Sequence, residues 1–90
     1  KALVIFSVQL MCADQSLAVN QAPFIDMDHV YEARFSKVFK YYYGNCATLE
    51  AAIEYQTKAR TKGFKGAFVV AFYKGKRVTL QKGKEIKASN

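Results

Sequence analysis

The chain has 90 residues, a formal charge of +7, and 51% hydrophobic against 23% charged residues. That composition excludes a disordered chain, and the length suits one domain over residues 1–90 with one modest core. The longest apolar run, Ala2–Phe6, falls far short of the ~20 residues that span a bilayer, so no membrane contact is expected from this domain.

The opening segment has a faint signal-like outline: Lys1, then Ala2–Met11, then Cys12-Ala13. Ser7 and Gln9 interrupt it, so it reads as a strand, and any export signal is expected outside this fragment. Leu3–Met11 is rich in β-branched and aromatic residues and forms the first strand. Alternation sends Val4, Phe6, Val8 and Leu10 to the core and Ile5, Ser7, Gln9 and Met11 to a wetter face. Asp14–Asp28 is irregular, because Pro23 disfavours a helix through it; a loop with one helical turn near Asn20–Ile25 is expected. His29–Arg34 and Val38–Tyr43 form a hairpin around Phe35-Ser36-Lys37. In its second strand Phe39, Tyr41 and Tyr43 share one face, while Val38, Lys40 and Tyr42 share the other, which the charge marks as exposed. Thr48 caps a helix through about Thr61 and Gly63 stops it. Leu49, Ala52, Ile53 and Gln56 give that helix a narrow apolar stripe. Ala67–Tyr73 is the last strong strand, closed by Lys74-Gly75-Lys76. Thr79 caps a short final helix, Leu80–Ile86, which Gly83 weakens.

This order predicts an α+β fold of the βαββαβ type, a ferredoxin-like or RNP-like four-stranded antiparallel sheet. Its helices cover one face, the first of them short or irregular, and strands one and three lie in the middle. The uncovered face is the natural binding surface. Charge is uneven along the chain: residues 1–57 carry a net −2 and residues 58–90 a net +9. The C-terminal third is therefore the part that attracts an anionic partner.

Three stretches then carry a resemblance. Ser7-Val8-Gln9-Leu10, Lys40-Tyr41-Tyr42-Tyr43-Gly44 before a helix, and Lys62-Gly63-Phe64 leading into Ala67-Phe68-Val69-Val70 stand in the order found in the SPOR (sporulation-related repeat) domain, which the chain resembles over nearly its whole length. Phe72-Tyr73-Lys74-Gly75-Lys76-Arg77-Val78 is similar to the subgroup attached to cell-wall amidases and related envelope proteins. The resemblance implies a non-catalytic, monomeric module of the bacterial periplasm that binds peptidoglycan at division sites, on glycan strands stripped of stem peptides. It implies no cofactor. Residue by residue, Gln9 matches the family's glutamine on the binding face. Cys12 stands at a position where a small hydroxyl residue is common. Lys40 matches the basic residue of strand three and Phe68 a large apolar residue of strand four. Val38 departs from a frequent aromatic, with Tyr42 as its replacement.

The chemistry of the expected open face agrees with such a ligand. Ser7, Gln9, Met11, Lys40, Tyr42, Phe68 and Val70 form the candidate glycan-binding set. Flat apolar side chains suit the C–H faces of sugars, Gln9 supplies donors and an acceptor, and Lys40 supplies a point charge for the lactyl carboxylates of stripped muramic acid. The structural alternative for Phe68 and Tyr42 is packing against residues 14–28 or the C-terminal tail. The main functional rival is RNA: the same sheet serves the RNA-recognition motif, and Lys62-Gly63-Phe64…Ala67-Phe68-Val69-Val70-Ala71-Phe72 echoes its signature. That signature belongs on strand three, however, and here it straddles a helix end and strand four. A third reading is a protein–protein adaptor using the same face.

An enzyme is not expected. His29 is the only histidine, no serine or cysteine has an evident base and orienting group, and no metal-ligand spacing occurs. Cys12 and Cys46 follow the ends of antiparallel strands. That puts them about 20 Å apart, beyond the ~7 Å Cα limit for a disulfide, so both are expected free.

Overall fold

The central strand, β1 (Val4–Ala13), is hydrogen-bonded on both edges. It pairs antiparallel with β3 (Val38–Cys46) on one side and β4 (Phe68–Tyr73) on the other. The edge strands β2 (Val30–Phe35) and β5 (Lys76–Val78) extend these in the order β2-β3-β1-β4-β5. With α1 (Leu49–Thr61) and α2 (Leu80–Ala88) they make a small α+β fold around a curled antiparallel sheet. This computed structural model describes residues 3–89; Lys1 and Ala2, which open the faintly signal-like stretch, and Asn90 lie outside the described residues. No helix among the described residues is long and apolar enough to cross a membrane.

Both helices lie on the side to which β1 sends Val4, Phe6, Val8 and Leu10. Val4 and Phe6 pack with Cys46, Ala52 and Ala71 beneath Leu80 and Ile86. Val8 and Leu10 pack with Tyr41, Tyr43 and Ala59. Each large apolar side chain fully buried here contributes about 1.5–3 kcal/mol. Thr48 caps α1 by accepting from Ala51 N at 3.2 Å, and Gly63, at φ +109°, follows its end as expected. The expected stripe is corrected at one position: Ile53 is exposed. The buried line runs through Ala52 and Ala59, with Gln56 Oε1 accepting from Val69 N at 3.2 Å.

Four expectations change. The sheet has five strands, because Lys74 (φ +53°) and Gly75 (φ +78°) form a two-residue turn that returns the chain as β5. Successive positive φ values match the right-handed twist of a tight hairpin. Residues 14–29 hold no helix, not even near Asn20–Ile25; three successive turns close on Phe24 and its neighbours. Strand β3 continues beyond Gly44, which sits inside it at φ +83°. Finally, Gly83 does more than weaken α2. A Cβ on it would lie 2.6 Å from Ala71 Cβ, so its missing side chain sets how closely α2 approaches β4.

The irregular segment packs where a first helix was expected. Phe24 is fully buried, 4.9 Å from the Tyr41 ring and 5.9 Å from Phe64 between centroids. The Tyr41 hydroxyl accepts from Leu17 N at 2.6 Å and donates to Glu32 Oε2 at 2.7 Å, and Ser16 Oγ donates to the same oxygen at 2.6 Å. These bonds tie the segment to β2 and β3. The bonds from Ser16 and then Tyr41 hold the Glu32 carboxyl below its ordinary 4.5. Burial, then the Glu32 bond, pushes the Tyr41 phenol above 10.0.

Two predictions follow from this packing. Gly83→Ala should lower stability by about 1–3 kcal/mol through overpacking, although alanine is the better helix former by about 1 kcal/mol; a higher urea midpoint would show that α2 shifts freely. Because the folded Glu32 pKa is depressed, its stabilisation is complete above the unfolded value near 4.5 and is lost as pH falls through the lower folded value. Glu32→Gln should therefore flatten the acid limb of a stability-against-pH curve measured by denaturant unfolding.

Candidate functional site

Side chains opposite one another across an antiparallel pair emerge on the same face. Register therefore places the face away from the helices. Ser7 pairs with Val70, Gln9 with Phe68 and Ile5 with Phe72. On the other edge of β1, Gln9 pairs with Tyr42 and Cys12 with Lys40. Outside them, Tyr42 pairs with Tyr31, Lys40 with Ala33, and Val38 with Phe35. Across β4, Phe72 pairs with Arg77. Six of the seven candidate residues, Ser7, Gln9, Lys40, Tyr42, Phe68 and Val70, thus share one face.

Met11 does not. Between Gln9 and Met11 the β1–β3 register slips, so that two steps along β1 answer one step along β3. A bulge of this kind reverses the alternation beyond it. Met11 is paired with Tyr41 and packs against the helix-side core, while Cys12 takes the outward place. Its removal from the candidate set is a correction that alternation alone could not make.

A second slip, between Phe6 and Val8, places the extra residue on β3 around Gly44. Ser7 answers it. Its hydroxyl donates to the Gly44 carbonyl at 2.5 Å, with the Tyr43 carbonyl 3.3 Å away, and accepts from Tyr31 Oη at 3.1 Å. Ser7, Val70 and Tyr42 are all buried, at 0%, 2% and 0% exposure. They are not presented to a ligand as the sequence suggested. They form a floor over which the sheet curls, with Tyr42 packed 5.5 Å from Tyr31 and 5.2 Å, edge-on, from Phe72. Each such pair contributes about 0.5–1.5 kcal/mol beyond area burial.

Around that floor lies the accessible surface. A groove of about 500 Å³ is lined by Leu3, Ile5, Tyr31, Phe35, Tyr42 and Phe72, with Asn45 and Lys74 among its polar residues. Two exposed aromatics of the same face each carry a cation: Lys40 Nζ lies 5.0 Å from the Phe35 centroid, and Arg77 Cζ lies 5.9 Å from that of Phe68. Arg77 also donates to Gln9 Oε1 at 3.0 Å, and Gln9 Nε2 contacts Cys12 Sγ at 3.5 Å. That chain orients the carboxamide.

Burial pushes the Tyr42 phenol above its ordinary 10.0, and the nearby Arg77 guanidinium opposes the shift. Tyr31 is raised by burial as well, with the Ser7 bond working against it. Both phenols are therefore neutral O–H donors at physiological pH. The Tyr42 hydroxyl has no partner with hydrogen-bond geometry among the described residues. Arg77 nonetheless lies close enough to influence it.

Sequence reasoning missed Tyr31, Phe35, Phe72 and Arg77. Phe35 belongs with Lys40 once the turn is confined to Ser36-Lys37, as the Phe35–Val38 pairing requires. Arg77 was legible only if Lys74-Gly75 had been taken as a two-residue hairpin turn. Cys12 and Cys46 are both free, one exposed and one buried; burial, then Glu54, raises the Cys46 thiol above its ordinary 9.0. His29 is exposed and lies 3.2 Å from Asp28. Among the described residues no group of three or more His, Cys, Asp or Glu side chains is placed to hold a metal. Compared with protein-family models, curated proteins and solved structures, the chain matches none.

Ser7→Ala should cost about 1–3 kcal/mol, since it leaves the Gly44 carbonyl and the Tyr31 hydroxyl unpaired in a buried place. Thermal unfolding of the variant checks this. An unchanged midpoint would mean that the Ser7 hydrogen bonds add no net stability to the β1–β3 bulge.

Proposed function

We infer that the chain is a non-catalytic, SPOR-like peptidoglycan-binding module whose uncovered sheet face takes glycan strands stripped of stem peptides. On this reading the strands β2-β3-β1-β4 correspond to a ferredoxin-like order, with the Phe24 segment standing in for the first helix and β5 added beyond β4. The observation that carries the reading is the make-up of that face. It joins an apolar groove to two aromatic–cation pairs and a fixed carboxamide, and no acidic side chain of the five strands shares it: Glu32, the sole acid among them, pairs with Tyr41 on the helix side.

Each part has a chemical counterpart in a stripped glycan. The C–H faces of sugar rings are apolar and fit against Phe35 and Phe68, while hydroxyl and N-acetyl groups pair with Gln9. Lactyl carboxylates, freed when stem peptides leave, recur along the strand and meet Lys40 and Arg77. Binding of this kind weakens with salt. On this reading the domain works in the bacterial periplasm as part of a larger exported protein, and it needs no cofactor. RNA is less well supplied. Base stacking needs open aromatic faces, and of Tyr31, Phe35, Tyr42 and Phe68 only Phe35 and Phe68 are exposed, while Tyr42 is fully buried and Tyr31 half-buried.

Retention on purified sacculi before and after amidase treatment tests the proposal. Amidase treatment should increase retention, and raised salt should reduce it. Gln9→Ala and Lys40→Ala should each lower retention several-fold with nearly unchanged thermal midpoints, because both side chains lie at the surface of the face. Equal retention before and after amidase sinks the glycan reading; a salt-sensitive RNA gel shift in its place selects the rival.

A further inference from the structure

We propose that Arg77 forms the carboxylate-reading point of the uncovered face, a role that rests on the glycan reading above and assigns its anion contact to the fifth strand. Three observations carry this. First, Arg77 is held but not neutralised. A guanidinium has five N–H donors, and among the described residues the Arg77 side chain uses one, toward the neutral Gln9 Oε1 at 3.0 Å. Among the described residues no carboxylate lies within ion-pair distance of Arg77; the one contact of that kind is between His29 and Asp28, on a different part of the chain. Second, its plane is set before any ligand arrives, by Gln9 at one end and the Phe68 ring 5.9 Å away. Fixed planar donors favour two parallel bonds to a carboxylate. Third, Arg77 lies beside the Tyr42 hydroxyl, which is fully buried in the floor and has no partner of hydrogen-bond geometry among the described residues, so no acidic group competes there for the guanidinium.

These features fit together as an exchange. A carboxylate taking two donors of Arg77 replaces one neutral contact with a charge-assisted pair. The Gln9 carboxamide, released from Arg77, is then available to a neighbouring N-acetyl or hydroxyl group. Lys40 lies across the face, over Phe35, and adds charge without the fork geometry. The class of ligand is therefore a carboxylated amino sugar, and its uncharged counterpart should bind poorly.

The test pairs N-acetylmuramic acid with N-acetylglucosamine, which lacks the lactyl carboxylate, in 15N–1H titrations of the intact chain. N-acetylmuramic acid should move the Arg77 Nε–H and Gln9 side-chain signals at concentrations where N-acetylglucosamine does not. Arg77→Gln should weaken retention on amidase-stripped sacculi about tenfold or more. Arg77→Lys should recover only part of the loss, and neither should move the thermal midpoint. Equal shifts from both sugars, or wild-type retention by Arg77→Gln, overturns the proposal and leaves the glycan reading standing. Failure of wild-type protein to favour stripped sacculi overturns the glycan reading instead. In that event an N-acetylmuramic acid-specific shift at Arg77 still upholds the carboxylate site, and no shift removes it.

Discussion

Everything in this molecule is arranged about β1, a strand paired on both edges whose two faces have different solvents. Its even positions, Val4, Phe6, Val8 and Leu10, are drawn under the helices by apolar burial. The geometry of a pleated strand then obliges Ile5, Ser7 and Gln9 to leave on the other side. Because β1 hydrogen-bonds to both β3 and β4, that choice propagates through register to Tyr42, Val70, Phe68 and, one strand further, Arg77. The make-up of the uncovered face is thus a consequence of where the core lies.

Two register slips modify the pattern, and each has a local chemical answer. Near Gly44 the extra residue of β3 presents a carbonyl, which the Ser7 hydroxyl satisfies. Glycine suits the place twice over, because φ is positive and a Cβ would lie 2.9 Å from the Tyr55 ring. Near Leu10 the slip turns Met11 into the core and brings Cys12 out beside Gln9. A buried hydroxyl at Ser7 is therefore part of the sheet's construction.

The Phe24 segment shows how a small fold covers its sheet without a second long helix. One fully buried ring, three turns and the Ser16–Glu32–Tyr41–Leu17 bonds take the place of helical packing. The charge imbalance has a similar economy. Six of the seven acids lie within residues 1–57 and the seventh, Glu85, is on α2, while the only charged side chains that the strands present on the opposite face are cations. Such a surface favours an anionic partner without requiring a deep pocket.

Short-range signals in the sequence were sufficient for β1, the existence of the β2–β3 hairpin, both helix caps and the separation of the two cysteines, although the turn is Ser36-Lys37 and not Phe35-Ser36-Lys37. These depend on alternation, capping hydroxyls and strand length, which act over a few residues. The α+β class followed from their order. What tertiary structure alone decided was the fate of individual side chains on the uncovered face. Alternation states which way Ser7, Tyr42 and Val70 point, but the curl of the sheet and the packing of Tyr31 and Phe72 determine that they are covered. The bulge that reverses Met11 depends on how two distant strands share hydrogen bonds, and Arg77 meets Gln9 across 68 residues of chain. Contacts of that range leave no periodic trace in either segment, because the partners are brought together by the folded sheet and not by neighbouring residues.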